Sequence, residues 1–166
     1  MNKELNRQQL QDRDSYKYLL RRYQWELTLT CRIPTTIESH LAHEQLVLQV
    51  LKPLSAKLKQ KIGAISVVVP THYDRGERKP AHIHSLLLSY EGTLVEKTED
   101  IQEFLANSLQ PDTMLNDLAS CWIKPIDDAT YFRNTTNYLS ENLVSVDDAT
   151  LNHFKKKLLL KRMVQR

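Results

Sequence analysis

The amino-acid sequence predicts an α+β protein with a central antiparallel sheet of about four to five strands and helices packed mainly on one side. Segments of alternating apolar and polar residues, typical of strands, are interspersed with segments whose apolar residues recur at helical spacing. Their order is strand, long helix, hairpin, helix, strand, helix. This mixed order favours an antiparallel sheet over a parallel one.

The length of 166 residues is that of one ordinary domain. We expect a single domain over residues 1–166, with a core over about 22–142. A helix over about 4–21 precedes this core, because that segment lacks Pro and Gly and has weak helical periodicity. A basic helix over about 149–163 follows it, with Asp147 or Asp148 as its cap.

The core begins with a predicted strand that ends at Pro34. Its apolar side comprises Trp25, Leu27, Leu29 and Cys31, which alternate with polar residues. Thr35 and Glu38 then form a capping-box pattern ahead of an amphipathic helix of about 25 residues. We expect Pro53 to kink or divide this helix and Gly63 to close it.

The next two strands form a predicted hairpin, because β-branched residues 64–69 and apolar residues 82–89 flank a polar segment with Gly76. Side chains of a strand alternate between faces, so His82 and His84 lie on one face and could bind one ion together. Further ligands could come from the partner strand. Alternatively, both histidines are polar residues at a solvated strand edge.

The second half of the core contains a short helix over 99–109, a strand over 117–126 and a helix over 129–142. In this last helix Tyr131, Thr135, Tyr138 and Asn142 share one face. The two tyrosines lie about 10 Å apart along the axis at a rise of 1.5 Å per residue. Tyrosines at this spacing are more often packing residues than nucleophiles.

The composition contains neither an export signal nor an apolar run of membrane-spanning length, so we expect a cytoplasmic protein without a membrane partner. Cys31 and Cys121 fall in predicted strands, and we expect buried thiols rather than a disulfide. The chain has three glycines and no phosphate-binding loop, so the sequence contains no helicase motif.

The charges are divided between the ends and the middle of the chain. Residues 1–23 hold six Lys/Arg against three Asp/Glu, and residues 150–166 hold six against none. Residues 24–149 hold eleven against seventeen. Basic ends suit a polyanion such as nucleic acid, which makes Lys155, Lys156 and Lys157 candidate contacts. The alternative is that these lysines form the solvated face of a terminal helix.

Three motifs, in order, resemble those of the H-hydrophobic-H (HUH) single-strand DNA endonucleases, a superfamily of rolling-circle replication initiators, relaxases and single-strand transposases. The strand WELTLT resembles the first motif, and AHIHSLLLS resembles the second. The third, a helix with a nucleophilic tyrosine, is matched in part by NYLSEN, where Glu141 stands at the usual lysine position. The resemblance implies a ferredoxin-like or RRM-like sheet over about residues 22–142.

The resemblance also implies a chemistry. Tyr138, or alternatively Tyr131, would attack a scissile phosphate and form a covalent 5′-phosphotyrosine. His82 and His84, with Asp74 or alternatively His72 as third ligand, would hold Mg²⁺ or Mn²⁺.

The expected substrate is single-stranded DNA at an origin hairpin of a plasmid, phage or mobile element. The expected DNA contacts are Trp25, Thr28, Thr30 and the three lysines at positions 155–157. A single-strand transposase or a relaxase of the same superfamily is an alternative. A non-catalytic single-strand binder, with Trp25 or Tyr23 as a stacking platform, is another.

Overall fold

A computed structural model describes residues 7–34, 39–108 and 120–142. The helices are α1 (Arg7–Arg21), α2 (Ser39–Leu46), α3 (Lys52–Leu58), α4 (Thr98–Ser108) and α5 (Ala129–Asn142). The strands are β1 (Leu27–Arg32), β2 (Ile62–Val69), β3 (His72–Asp74), β4 (Glu77–Lys79), β5 (His82–Ser89) and β6 (Ser120–Pro125). None of these helices is long and apolar enough to span a membrane. The capping-box residues Thr35 and Glu38 and the predicted basic helix lie outside the described residues.

Four strands form one antiparallel sheet in the order β2-β5-β1-β6. The helices α2 and α3 connect β1 to β2, and α4 connects β5 to β6, which gives a βαββαβ unit. In this unit the hairpin returns β5 to the position between β1 and β2. The α+β class and the four-stranded antiparallel sheet are therefore as predicted, and the arrangement is consistent with a ferredoxin-like core.

One face of the sheet packs against the crossover helices. Leu27 and Leu29 of β1 point to this face, with Ile83 and Leu87 of β5. The helices cover them with Leu46, Val50, Leu51, Leu54, Ile101 and Leu105, all at most 1% exposed. Burial of each such side chain contributes about 1.5–3 kcal/mol, so this core fixes the strand register.

The opposite face is covered by α1 and α5, which adjusts the expectation that helices pack mainly on one side. These helices lie outside the βαββαβ unit, and each has an apolar residue that needs burial, Leu20 in α1 and Leu139 in α5. Both pack with the residues of β2 and β5 that lie on this face of the sheet: Ile65, Val67, Val69, Leu86 and Leu88. This second core leaves the β1 and β6 side of the face less covered, since Trp122 of β6 is 50% exposed.

The long helix is divided ahead of Pro53, as predicted. Residues Val47–Leu51 form a π-helical turn between α2 and α3, and Pro53 follows in the first turn of α3. A proline ring clashes with the carbonyl four residues earlier, and a widened turn relieves that clash. The prediction that Gly63 closes the helix is wrong. Lys59 ends it in the left-handed conformation at φ 52°, and Gly63 lies in β2, where an added Cβ would stand 2.9 Å from the Tyr90 hydroxyl oxygen.

The hairpin between β2 and β5 is extended by a short ribbon of β3 and β4. Arg75 and Gly76 form its two-residue turn, and both have positive φ, 49° and 83°. This is the pattern of a type I′ turn, and glycine adopts it without the steric cost that a side chain adds. The ribbon therefore projects beyond the sheet from the end at which His82 lies opposite Val69.

Cys31 and Cys121 form a disulfide, which corrects the expectation of two buried thiols. They lie directly opposite each other in the β1–β6 register, with their Cα atoms 4.1 Å apart. The sequence could not reveal this because 90 positions separate the two cysteines and their pairing depends on the sheet order. The bond attaches the edge strand β6 to the central strand β1.

Glu26 is buried immediately before β1, and its carboxylate accepts three hydrogen bonds. One carboxylate oxygen accepts from the backbone N–H of Ser89 at 2.7 Å. The other accepts from the Thr93 hydroxyl at 2.6 Å and from the backbone N–H of Leu94 at 2.8 Å. A buried carboxylate with three donors is a stable arrangement that holds the chain leaving β5 against β1.

Candidate functional site

His82 and His84 lie on the same face of β5, as their spacing predicts. Ile83 between them is buried in the crossover core, so both rings point to the face covered by α1 and α5. The ring centroids are 4.6 Å apart, and the ring planes are perpendicular. Two imidazoles at this separation could contact one ion.

The ring of His82 is oriented by the chain just before it. Its Nδ1 lies 2.8 Å from the carbonyl oxygen of Pro80 and donates to it, because a carbonyl oxygen only accepts. Nε2 is therefore the ring nitrogen of His82 that could hold a metal. A histidine that donates one ring N–H to a backbone carbonyl while the other nitrogen holds a metal is the common arrangement in metal sites.

His84 is held by a cross-strand partner. Its Nδ1 lies 2.9 Å from the hydroxyl oxygen of Thr30, which stands opposite His84 in the β1–β5 register. Burial, and to a smaller extent the charge of His82, lower the pKa of His84 from 6.5 to about 4. The ring is therefore neutral at pH 7, and a neutral imidazole is the form that binds a metal ion.

Tyr138 of α5 lies against His84. The two ring centroids are 5.0 Å apart in an edge-to-face arrangement. Tyr138 is 37% exposed, and no other described residue hydrogen-bonds its hydroxyl. Burial raises the pKa of Tyr138 above its ordinary value of 10.0, so the phenol is protonated at neutral pH.

Tyr131, about two helical turns before Tyr138 in α5, has other contacts. Its hydroxyl lies 2.9 Å from the Thr28 hydroxyl, and the Lys124 ammonium lies 4.0 Å from its ring centroid. Its backbone N–H donates to Asp128, the cap at the start of α5. These contacts hold Tyr131 against β1 and β6.

The position of α5 over the sheet is fixed by packing and by one polar contact. Leu139, adjacent to Tyr138, is 1% exposed and belongs to the core shared with α1. Arg21 at the end of α1 donates to the side-chain oxygen of Asn137 at 2.8 Å. Because residues on both sides of Tyr138 are held, the tyrosine is directed toward the histidines.

These groups border an open cleft of about 400 Å³ between α5 and the sheet. Its lining includes Thr28, Thr30, His84, Tyr131, Thr135 and Tyr138. Thr28 and Thr30, predicted as DNA contacts, thus lie at the base of the cleft. Each hydrogen-bonds one of its key side chains, Thr28 with Tyr131 and Thr30 with His84.

The third metal ligand expected from Asp74 does not join the histidines. Asp74 is exposed in the last pair of the ribbon, opposite Glu77, whereas His82 lies at the sheet end of the same hairpin. The physical reason is the two-residue turn at Arg75 and Gly76, which carries the aspartate away from the sheet. In the described part of the chain no three His, Cys, Asp or Glu side chains converge on one point. The backbone of the alternative ligand His72 lies in β3, opposite Lys79.

Trp25 is a core residue, which corrects its prediction as a DNA contact. It is 4% exposed, packs with Leu20 and Tyr23, and donates its indole N–H to the carbonyl oxygen of Leu20 at 2.6 Å. Tyr23 is 6% exposed and equally unavailable for stacking. The candidate contacts Lys155, Lys156 and Lys157 lie outside the described residues.

Trp122 is a residue of this face that the motif analysis missed. It stands opposite Thr30 in the β1–β6 register, and half of its surface is exposed. The signal was present in the sequence, since Cys121 and Ile123 on either side are apolar and point to the opposite core. Alternation therefore places Trp122 on the face of the histidines.

Comparisons of the chain with protein-family models, curated proteins and solved structures give no match. A protonated phenol beside the neutral imidazole of His84 and the adjacent ring of His82, in a cleft with threonine hydroxyls and a nearby lysine, suits attack on a phosphate with the aid of a divalent ion.

Proposed function

We propose that the protein is a metal-dependent endonuclease of the HUH type, which nicks and joins single-stranded DNA through a covalent 5′-phosphotyrosine. The observation that carries the proposal is the contact of Tyr138 with His84, 5.0 Å between ring centroids, beside His82 at the edge of the cleft. A tyrosine adjacent to paired imidazoles combines a nucleophile with metal ligands.

His82 and His84 are the proposed ligands of Mg²⁺ or Mn²⁺. A bound divalent cation supplies positive charge that stabilises the negative charge developing on the scissile phosphate. Both rings fit the role, because His82 is oriented by the Pro80 carbonyl and His84 is neutral at pH 7. Two imidazole ligands favour Mn²⁺ or a later metal over Mg²⁺.

Tyr138 is the proposed nucleophile. Its oxygen forms a bond to phosphorus as the bond from phosphorus to the 3′ oxygen breaks; the phenol loses its proton and the departing 3′ oxygen gains one. Burial raises the pKa of this phenol, so it reacts only where nearby positive charge favours the phenolate. Because the phosphotyrosine conserves the energy of the phosphodiester, the break can be resealed or transferred.

The test is incubation of the purified protein with end-labelled single-stranded oligonucleotides, including origin-derived hairpins, in the presence of Mn²⁺. We expect a covalent protein–DNA adduct that survives denaturing electrophoresis and disappears with EDTA. His82→Ala and His84→Ala should each abolish it while leaving the melting temperature near that of the wild type. Failure of every oligonucleotide to give an adduct would overturn the enzymatic proposal.

The biological role we propose is initiation of rolling-circle replication of a plasmid, phage or mobile element in the cytoplasm of its host. The described residues carry no phosphate-binding loop, and a host helicase would supply the unwinding. A transposase or relaxase of the same type would form the same adduct. The product of the joining reaction distinguishes replication from transposition. A resealed circle indicates replication, and an integrated strand indicates transposition.

A second candidate is a non-catalytic single-strand binder. It is favoured by the lack of a third converging ligand among the described residues. Under that proposal DNA binding would persist without metal, and His82→Ala with His84→Ala would leave all measurable activity unchanged.

A further inference from the structure

Trp122 lies in one transverse row of the sheet with the proposed metal site. In the register, Trp122 is opposite Thr30 and Thr30 is opposite His84, so all three side chains point to the same face. Two strand spacings of about 4.8 Å place the Trp122 backbone roughly 10 Å from that of His84. A half-exposed indole at this distance is out of reach of the reacting atoms and within reach of a neighbouring nucleotide.

Two exposed cations flank the indole on the same face. Arg32 stands two register pairs to one side, opposite Ser120, and Lys124 stands two pairs to the other, opposite Thr28. Lys124 is also held over the ring of Tyr131 at 4.0 Å. An aromatic platform between two cations matches a nucleobase with a phosphate on each side.

The strand that carries Trp122 is rigidly held. The disulfide joins the preceding residue, Cys121, to β1. The backbone N–H of the following residue, Ile123, donates to the side-chain oxygen of Gln102 in α4 at 3.2 Å. The indole is therefore presented from a fixed strand, which reduces the conformational entropy lost on binding.

We propose that Trp122 is a base-stacking subsite, which receives one of the nucleotides flanking the scissile phosphate while Arg32 and Lys124 contact the adjoining phosphates. This subsite rests on the proposed function for the location of the scissile phosphate. It deepens that proposal by assigning the β6 side of the cleft to the DNA strand on its way to or from Tyr138. Trp122 acts by positioning, since it does not touch the reacting atoms.

The test uses oligothymidylate as the probe, without added metal, so that no cleavage occurs. The chain has two tryptophans, and the other, Trp25, is 4% exposed in the core, so a quench of indole emission on binding reports Trp122. Trp122→Phe should remove the quench and keep an affinity close to the wild type, because phenylalanine also stacks. Trp122→Leu should weaken binding about 5- to 150-fold, the range expected for loss of one stacked base.

The matched control is Tyr73→Leu, since Tyr73 is an aromatic residue of the ribbon that is 75% exposed and belongs to no part of the cleft. It should bind oligothymidylate as the wild type does. A quench that persists in Trp122→Phe, or wild-type affinity in a folded Trp122→Leu, would overturn the subsite. The fluorescence readout needs no cleavage, so it tests the subsite separately from the nuclease. A protein that forms no adduct but shows the normal quench would refute the nuclease and still support the stacking subsite.

Discussion

Two polar clusters lie at opposite ends of strand β1, and they are built in opposite ways. At its start, the Glu26 carboxylate accepts three hydrogen bonds and is 8% exposed. Toward its end, Thr30 contacts His84, which in turn packs against Tyr138. The Tyr138 hydroxyl has no hydrogen-bond partner among the described residues, and its ring is more than a third exposed.

This difference distinguishes a cluster that stabilises the fold from a cluster that could bind a ligand. A buried carboxylate that accepts three hydrogen bonds, with both of its oxygens engaged, is committed to partners within the fold, so its role is to hold segments together. A neutral imidazole and a protonated phenol at a solvent-open cleft retain that capacity. We therefore expect substitutions in the first cluster to change stability, and substitutions in the second to change activity.

The largest expected effect is on catalysis. Tyr138→Phe removes the hydroxyl of the proposed nucleophile and leaves the rest of the ring in place. It should therefore lower adduct formation by roughly a thousandfold or more. The ring remains against His84, so the melting temperature and the affinity for single-stranded DNA should stay near those of the wild type. Adduct yield on a denaturing gel, with DNA binding measured by anisotropy, checks both parts.

The matched control is Tyr131→Phe, which removes the hydroxyl that contacts Thr28. It should retain most of the cleavage. The reverse pattern would identify Tyr131 as the nucleophile, and equal partial losses would indicate two alternating nucleophiles.

The second expected effect is on stability. Glu26→Ala leaves the backbone N–H groups of Ser89 and Leu94 and the Thr93 hydroxyl without their acceptor, which should lower the free energy of unfolding by roughly 3 kcal/mol or more. Glu103→Ala, at an exposed position of α4, should change it by at most about 0.5 kcal/mol. Urea denaturation followed by circular dichroism measures both. A Glu26→Ala protein as stable as the wild type would contradict the structural role.

Local periodicity was sufficient to predict much of this molecule. The same-face placement of His82 and His84 follows from strand alternation, and the division of the long helix at Pro53 follows from the geometry of proline. The fold class follows from the order of the elements. Each of these inferences needs only neighbouring residues.

The inferences that failed needed information from elsewhere in the fold. Alternation places Trp25 in the strand, but β1 begins at Leu27. The backbone N–H of Trp25 instead donates to the carbonyl oxygen of Tyr23, and the indole is buried. The resemblance places Asp74 at the metal site, but the ribbon carries this residue to its turn, opposite Glu77. The disulfide depends on a partner 90 residues away. The hydrogen bonds of Glu26, for which the sequence pattern gives no indication, likewise depend on partners 63 to 68 residues away.

The smallest expected effect concerns the protonation of His84 and tests whether its ring is neutral in the cleft. Burial and the neighbouring His82 lower its pKa to about 4, whereas an unfolded chain has the ordinary value of 6.5. Above pH 6.5 the ring is neutral in both states, so the group contributes no pH dependence. Between pH 6.5 and about 4 the unfolded chain binds a proton here that the folded chain does not, so stability falls as the pH falls.

His84→Gln removes this titration while its amide can still hydrogen-bond Thr30. The melting temperature of the wild type should therefore decline more steeply than that of the variant between pH 6.5 and 4, by the equivalent of roughly 1 to 2 kcal/mol once solvent screening of the partly exposed ring is included. Parallel melting curves across this range would mean that the folded ring protonates as readily as the unfolded one. A ring that is charged at mildly acidic pH would bind a metal ion more weakly at that pH. His84 would then no longer differ from Glu26 in being a neutral group with capacity for a ligand.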